Sequence, residues 1–262
     1  MISDLNNIIY TVESNIATIT FHRPNALNAM NTESLSEFSQ ALNEANSDDN
    51  VKCIVLTGSG EKAFVAGADI KELHKKTPVE AMAYVELGNG VCRYLEMQSK
   101  PSIAAVNGVA LGGGTEIAMS CDIRFASENA RFGQPEILLG IIPGWGGTQR
   151  LPRLIGEGRA LEFLMTGEYI TAQRAYEIGL VNRLFPQKDL LEQAKEFAAK
   201  LISMPGFAIK MLKTSVYNGL NMDMASALNL EIQCICQCFS THDQKEGMMA
   251  FIERRKPLWQ GK

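Results

Sequence analysis

A chain of 262 residues with 46% hydrophobic and 21% charged residues has room for one large domain with a sizeable core, in the balance of an ordinary globular protein. Its formal net charge of −4 carries no basic excess, which argues against nucleic-acid binding as the main role and means that an anionic ligand would need a local basic patch. Six cysteines fit reduced thiols better than a disulfide framework, the N-terminal MISDLNNIIY with its early Asp4 does not read as a signal peptide, and no apolar run approaches a membrane span, so a cytoplasmic location is expected.

In chain order, residues 7–12 and 16–21 alternate apolar and polar around a short ESN turn, which predicts a hairpin. Leu35, Phe38, Leu42 and Ala45 recur at helical spacing and predict a helix over 32–46. The continuous apolar run CIVL at 53–56, ending in TGSGE, reads as a buried strand and a loop. A long helix is expected over 79–98, a strand at 103–106, a short helix after the glycines of ALGGGTEIAMSCD, and a strand near 122–126. From about residue 158 helical patterns dominate, at 158–165, 171–178, 189–203, 206–218, 222–239 and 243–255, punctuated by Pro186 and Pro205. The whole predicts a mixed α/β core followed by a helical C-terminal region packed on the core or on a neighbouring subunit.

Several chemistries lack their signatures. There is no G-x-S-x-G elbow, no G-x-x-x-x-G-K-[ST] loop and no G-x-G-x-x-G fingerprint. Cys234, Cys236 and Cys238 form a CICQC cluster with only His242 nearby, and His22, His74 and His242 fall in no ligand spacing, so no metal site is expected and the role of the cluster stays open.

What remains is glycine-rich backbone and two glutamates. If Gly112–Gly114 open a helix, their N–H groups lack intrahelical partners and sit at the positive end of its dipole, which suits an oxyanion hole; equally, the glycines could serve only close packing. Glu116 in the first turn could be a catalytic carboxylate or one that simply favours the helix N-terminus. Glu136 follows Pro135 and precedes ILLG, so it either enters an apolar environment that raises its pKa or forms an ordinary ion pair in a loop. In AFVAGADIKEL, Gly67 would let the backbone turn and expose the N–H of Ala68, while Asp69 could be a helix N-cap.

With these segments in view, AGADI at 66–70, NGVALGGGTEIAMSCDI at 107–123 and FGQPEILLGIIPGWGGTQRLPR at 132–153 resemble enoyl-CoA hydratases of the crotonase family, most nearly the bacterial short-chain, crotonyl-CoA type. The resemblance runs from HRPNALNAM at 22–30 to AFIERRK at 250–256. It implies the α/β crotonase (ClpP/crotonase-like) spiral of repeated ββα units over residues 1–195, and a helical region over 196–262 for trimer and CoA contacts, with hexamers as dimers of trimers. It also implies Glu116 and Glu136 as catalytic carboxylates and the Ala68 and Gly113 N–H groups as the oxyanion hole. The reaction implied is addition of water to a trans-2-enoyl-CoA to give a 3-hydroxyacyl-CoA. No cofactor is implied, since coenzyme A is part of the acyl-CoA thioester substrate, and neither nucleic acid nor membrane is an expected partner.

For substrate contacts the resemblance implies Ala26 and Leu27 beside the adenine and pantetheine, and Ala66, Ala68, Asp69, Ile70 and Lys71 around the oxyanion loop. It adds Gly112, Gly113, Pro135, Gly144 and Trp145 near the acyl group, and Phe251 and Arg254 reaching a neighbouring subunit's nucleotide. The basic stretch Arg254–Lys256 could instead be a solvated helix end. Trp145 stands where many relatives carry a smaller residue or Phe, which bears on acyl length; Thr115 and Asn25 replace a frequent Cys and Lys. Within the family the competing reaction is enoyl-CoA isomerisation, which manages with one acid. Outside catalysis it is an acyl-CoA or RNA-binding module, which would be expected to lose a glutamate or the oxyanion glycine.

Overall fold

A computed structural model describes residues 5–261, so Asp4 and the other residues at the start of MISDLNNIIY lie outside the described residues. Strands β1 (Ile8–Glu13) and β2 (Ile16–Phe21) form the expected hairpin, with Glu13 opposite Ile16. Ser14 and Asn15 between them both have positive φ, 50° and 65°, the backbone of a two-residue turn whose twist matches that of the strands.

From there the chain steps repeatedly between two sheets. β3 (Cys53–Gly58) joins the first sheet and β4 (Ala63–Val65) begins the second. β5 (Ser102–Val106) and β6 (Val109–Leu111) repeat the step, as do β7 (Ile123–Ser127) and β8 (Arg131–Gly133), before β9 (Ile170–Thr171) and β10 (Arg183–Phe185). The six-stranded sheet has the order β1-β2-β3-β5-β7-β10 and is parallel after the hairpin. The four-stranded sheet has the order β4-β6-β8-β9 and is parallel except at β8-β9.

Helices α1 (Thr32–Ser47), α2 (Ile70–Leu73), α3 (Pro78–Met97) and α4 (Gly113–Ser120) follow these steps, so that β3-β4-α3 and β5-β6-α4 are successive strand–strand–helix units. α5 (Gly147–Ile155), α6 (Glu157–Thr166) and α7 (Ala172–Glu177) pack around the third unit, and α8 (Leu190–Ile202), α9 (Gly206–Gly219), α10 (Met224–Cys238) and α11 (His242–Ile252) complete the chain. The long helices start where local chemistry says they should. Asn31 and Ser34 form a capping box for α1, and Thr77 and Glu80 form one for α3, with Pro78 at its first turn.

Alternate residues of the central strands serve two cores. Ile54, Leu56, Ala104 and Val106 face the main core with Phe21, Phe38 and Phe64, whereas Cys53, Val55, Ile103, Ala105 and Phe125 face Leu190, Ala194 and Ala198 of α8. A sheet covered on both faces explains why CIVL reads as an unbroken apolar run. α8 spans residue 195, and its Ala194 and Ala198 both pack on the sheet. α9 returns to the core through Asp122, which accepts from Lys213 Nζ and Tyr217 Oη, both at 2.8 Å.

Candidate functional site

The site is built where the two sheets hand over to helices. Residues 23–29 are held as an irregular loop by Asn28, which is 1% exposed: its amide donates to the Ser59 and Ala63 carbonyls at 3.1 and 2.9 Å and its oxygen accepts from the Arg23 N–H at 3.0 Å. Leu27 in the same loop takes φ of +50°, and its carbonyl accepts from the Ala66 N–H at 3.1 Å. The next strand-like contact is a parallel bridge between Met30 and Ala68, made by the Gly67 carbonyl and the Asp69 N–H. In such a bridge the N–H of the central residue points away, so the Ala68 N–H is directed to the opposite side with no acceptor among the described residues. Asp69 does cap α2, accepting from the Lys71 N–H at 3.0 Å, and it also pairs with Arg23 at 2.9 Å. Ile70 and Lys71 lie exposed beyond it.

Each glycine of the triplet has its own physical reason. Gly112 takes φ of +49°, and a Cβ there would lie 2.8 Å from Oε1 of Glu136. A Cβ on Gly113 would lie 2.1 Å from the Trp145 ring, and one on Gly114 would lie 1.9 Å from the Val65 carbonyl oxygen, so α4 starts in backbone contact with β4. The first intrahelical bond of α4 is Glu116 N–H to the Gly112 carbonyl, which leaves the Gly113 N–H without an intrahelical acceptor. The missing side chains allow close packing, and the Gly113 amide has no intrahelical acceptor, so packing does not exclude a ligand contact. Thr115 fixes the same helix start, its hydroxyl 2.6 and 3.0 Å from the Ala110 and Gly133 carbonyls.

Glu116 is 2% exposed, not a surface carboxylate. Its Oε1 accepts from the N–H groups of Trp145 at 2.8 Å and Gly147 at 2.6 Å. Burial pushes its carboxyl up to about 7, against the downward pull of those two donors and of Arg150, while the charge of Glu136 pushes the same way as burial. Glu136 is half-buried in the single turn Pro135–Leu139, and burial also pushes it up to about 7. Its neighbours are Gly112 and Gln134; the apolar run that follows it, Ile137–Ile142, faces outward. No ion pair is made by Glu136 among the described residues. Gln134, 1% exposed, is a site residue that sequence reasoning passed over although it stands in the quoted FGQPE stretch. With its amide nitrogen facing Glu136 it donates to both oxygens, at 3.1 and 3.2 Å; facing the other way it reaches the Gly112 carbonyl at 3.4 Å. An amide can therefore partner Glu136 in either protonation state.

Trp145 is 3% exposed, its ring wedged between Gly113 and Gly88 of α3, and Gly144 beside it accepts from the Asn89 amide at 3.2 Å. A cavity of about 370 Å³ opens along the loop that holds Ala26, lined by Pro24, Asn25, Leu27, Asn28, Gly60 and Lys62 among others. Phe251, at 85% exposure, lies in the last turn of α11. α11 ends at Ile252, so Arg254 sits beyond it with φ of +57°, and Arg255 is paired with Glu246 and Glu253. Cys234 is buried and Cys236 exposed, because a spacing of two turns them to different sides of α10. Among the described residues no group of His, Cys, Asp or Glu is placed to hold a metal ion, and no helix is long and apolar enough to cross a membrane.

A family model described as Enoyl-CoA hydratase/isomerase matches residues 11–262. The chain is 50% identical over 253 residues to the Short-chain-enoyl-CoA hydratase of Clostridium acetobutylicum, covering 97% of each protein. It is 46% identical over 250 residues to the Crotonyl-CoA hydratase of Syntrophomonas wolfei, covering 95% of this chain and 96% of that one. Among solved structures, an enoyl-CoA hydratase from Bacillus anthracis superposes with a TM-score of 0.94 at 40% identity, covering 98% of this chain and all of that one.

Proposed function

Because the chain belongs to the enoyl-CoA hydratase/isomerase family, we propose that it is a cytoplasmic hydro-lyase adding water across the double bond of short-chain trans-2-enoyl-CoA thioesters, of which crotonyl-CoA is the simplest. The reading is supported by two carboxyls that burial pushes up to about 7, one of them beside Gly112, and by the N–H groups of Ala68 and Gly113, which have no acceptor among the described residues. Water adding at C3 pushes electrons through the conjugated thioester onto its oxygen. Two fixed N–H donors stabilise that charge at the moment it develops, an effect of about 2.7–4 kcal/mol per donor.

The hydrogen bonds divide the acid–base work. Two backbone donors favour the ionised form of Glu116, which makes it the base that orients and deprotonates the water. Glu136 has no pair of backbone donors, and with the Gln134 amide oxygen turned towards it the protonated carboxyl has an acceptor until its proton is delivered to C2. One carboxyl ionised and one protonated is the state that closely placed carboxyls reach on their own, and the pair titrates together. Coenzyme A enters as part of the substrate, and no cofactor is required by these steps. Its nucleotide end fits the cavity beside Ala26 and Leu27, near Lys62, while Trp145 closes the acyl end.

The proposal predicts a bell-shaped dependence of kcat/KM on pH, centred near 7. At low pH both carboxyls are protonated and the base is lost; at high pH both are ionised and the acid is lost. Loss of enoyl-thioester absorbance, followed from about pH 5 to 9, measures it, and a flat profile over that range would remove the paired-carboxyl mechanism.

The outward faces of α9 and α10 carry Leu212, Val216, Leu228, Ile232 and Ile235, each at least 50% exposed. Such an exposed apolar face suits self-association, and it supports a homotrimer or a dimer of trimers. Light scattering on the eluting protein should return three or six times 28.8 kDa, and Leu212→Glu with Val216→Glu should lower that mass. A monomeric wild type would dispose of the assembly.

A further inference from the structure

We infer that Arg150 is a positioning residue for the Glu116 carboxylate, acting through the backbone of Trp145 and anchored on Glu96. This deepens the hydratase reading and rests on it. The guanidinium uses three donors in one plane: Nε to Glu96 Oε1 and Nη2 to Glu96 Oε2, both at 3.0 Å, and Nη1 to the Trp145 carbonyl at 2.8 Å. Trp145 is thereby held on both sides, its carbonyl by Arg150 and its N–H by Glu116. Four elements meet in this strut: Glu96 comes from α3, Arg150 from α5, Trp145 from the loop and Glu116 from α4.

Gly146 shows how closely the strut fits. It takes φ of +108°, and a Cβ there would lie 2.0 Å from Nη1 of Arg150, so the guanidinium fills the space any other residue would need. The positive φ turns the N–H groups of Trp145 and Gly147 onto one side, where both reach the same carboxylate oxygen, a small anion-binding concavity. Without Arg150 the buried Trp145 carbonyl loses its donor, the loop relaxes, and the two N–H groups no longer converge. The ionised form of Glu116 is what they support. A lysine would keep the charge but not the planar three-way fork, so it separates position from charge.

The charged and titratable groups facing Glu116 are Glu136 from its turn, Arg150 from α5 and the Cys92 thiol from α3, with Glu96 behind Arg150. Of these, Glu136 raises the Glu116 carboxyl and Arg150 lowers it, while burial keeps the Cys92 thiol neutral, pushed up to about 12. Removing Arg150 therefore moves the acidic limb of the rate profile to higher pH on both counts, lost geometry and lost charge.

The experiment compares kcat, KM and the pH profile of wild type, Arg150→Met, Arg150→Lys and Glu96→Gln on crotonyl-CoA. Lys213→Met serves as a control that breaks an ion pair of similar burial, Lys213–Asp122, whose bonds do not include Arg150, Glu96 or Trp145. Arg150→Met should lower kcat by about 10²-fold at neutral pH, leave KM within about twofold and shift the acidic limb upward. Arg150→Lys should recover only part of that loss, and Lys213→Met should lower thermal stability without moving the limb. A folded Arg150→Met with the wild-type limb overturns the assignment; if it does not fold, Glu96→Gln decides by the same criterion. Infrared titration of the Glu116 carboxyl, with Glu116→Gln as its blank, reads the shift without turnover. An inactive wild type would thus sink the hydratase reading, while an unshifted Glu116 would sink the strut.

Discussion

Glu116→Gln and Glu136→Gln are each expected to lower kcat for crotonyl-CoA hydration by about 10²–10⁴-fold, the usual worth of positioned acid–base help, with KM little changed. Glutamine is close in shape, and at position 116 its carbonyl oxygen can still accept from the Trp145 and Gly147 N–H groups, so the loop stays in place. What disappears is the ability to take up or release a proton. Either variant with near-wild-type turnover would contradict the assignment. The same substitutions should act on stability with the opposite sign. Both carboxyls are raised from 4.5 to about 7, so the folded chain holds these protons more tightly than the unfolded chain does. Their favourable contribution is fully present below 4.5 and is lost as pH rises through 7. Above that, folding must carry buried negative charge, which an uncharged glutamine avoids. The glutamine variants should therefore melt higher than wild type near pH 8, and the gap should shrink towards pH 5. Equal melting temperatures at both pH values would mean that these carboxyls are not held at a cost.

Such a site is legible in sequence only where its parts are long or chemically marked. The amphipathic helix at 32–46, the long helix at 79–98 and the buried strands at 53–56 and 103–106 carry enough residues to show a period or an unbroken apolar run, and they are found within a residue or two. The second sheet escapes that approach. β4, β6 and β8 are three residues each and β9 is two, too short to display alternation, and they are specified by pairing partners far along the chain. α5 is hidden for a different reason: it begins in the glycines of GWGG, which argue locally for a loop, and is held by tertiary contacts from Gly147 to Glu116 and from Arg150 to Glu96. The site follows the same division. Glu116, Glu136 and the triplet stand out in the chain because carboxylates and glycines are unusual beside apolar runs. The donors that hold Glu116 are backbone groups of residues about thirty positions away, and no side-chain pattern announces them. Arg150 and Glu96, 54 residues apart, read singly as ordinary helix-surface charges until the fold brings them together.

Trp145→Ala is expected to cost about 3–5 kcal/mol of folding stability, the loss found when a large buried aromatic is truncated in a packed core. The ring is 3% exposed and lies 5.7 Å from the Tyr84 ring, centroid to centroid. Two glycines make room for it, since a Cβ on Gly88 would come within 2.2 Å of the indole and one on Gly113 within 2.1 Å. The position next to Gly113 gives the ring its proposed second role. A wall behind the residue proposed to hold the thioester carbonyl would limit how far an acyl chain can extend on that side. Removing it should raise the rate on C10 relative to C4 enoyl-CoA, with Trp145→Phe in between; an unchanged ratio would leave Trp145 a packing residue only. The two roles separate in a second substitution. Gly113→Ala keeps the N–H, and the harm it does to stability comes from collision with the indole. In the Trp145→Ala background that collision is gone, and the two changes should be strongly non-additive in stability. If Gly113→Ala abolishes turnover equally in both backgrounds, the bare backbone at 113 is required by the substrate itself.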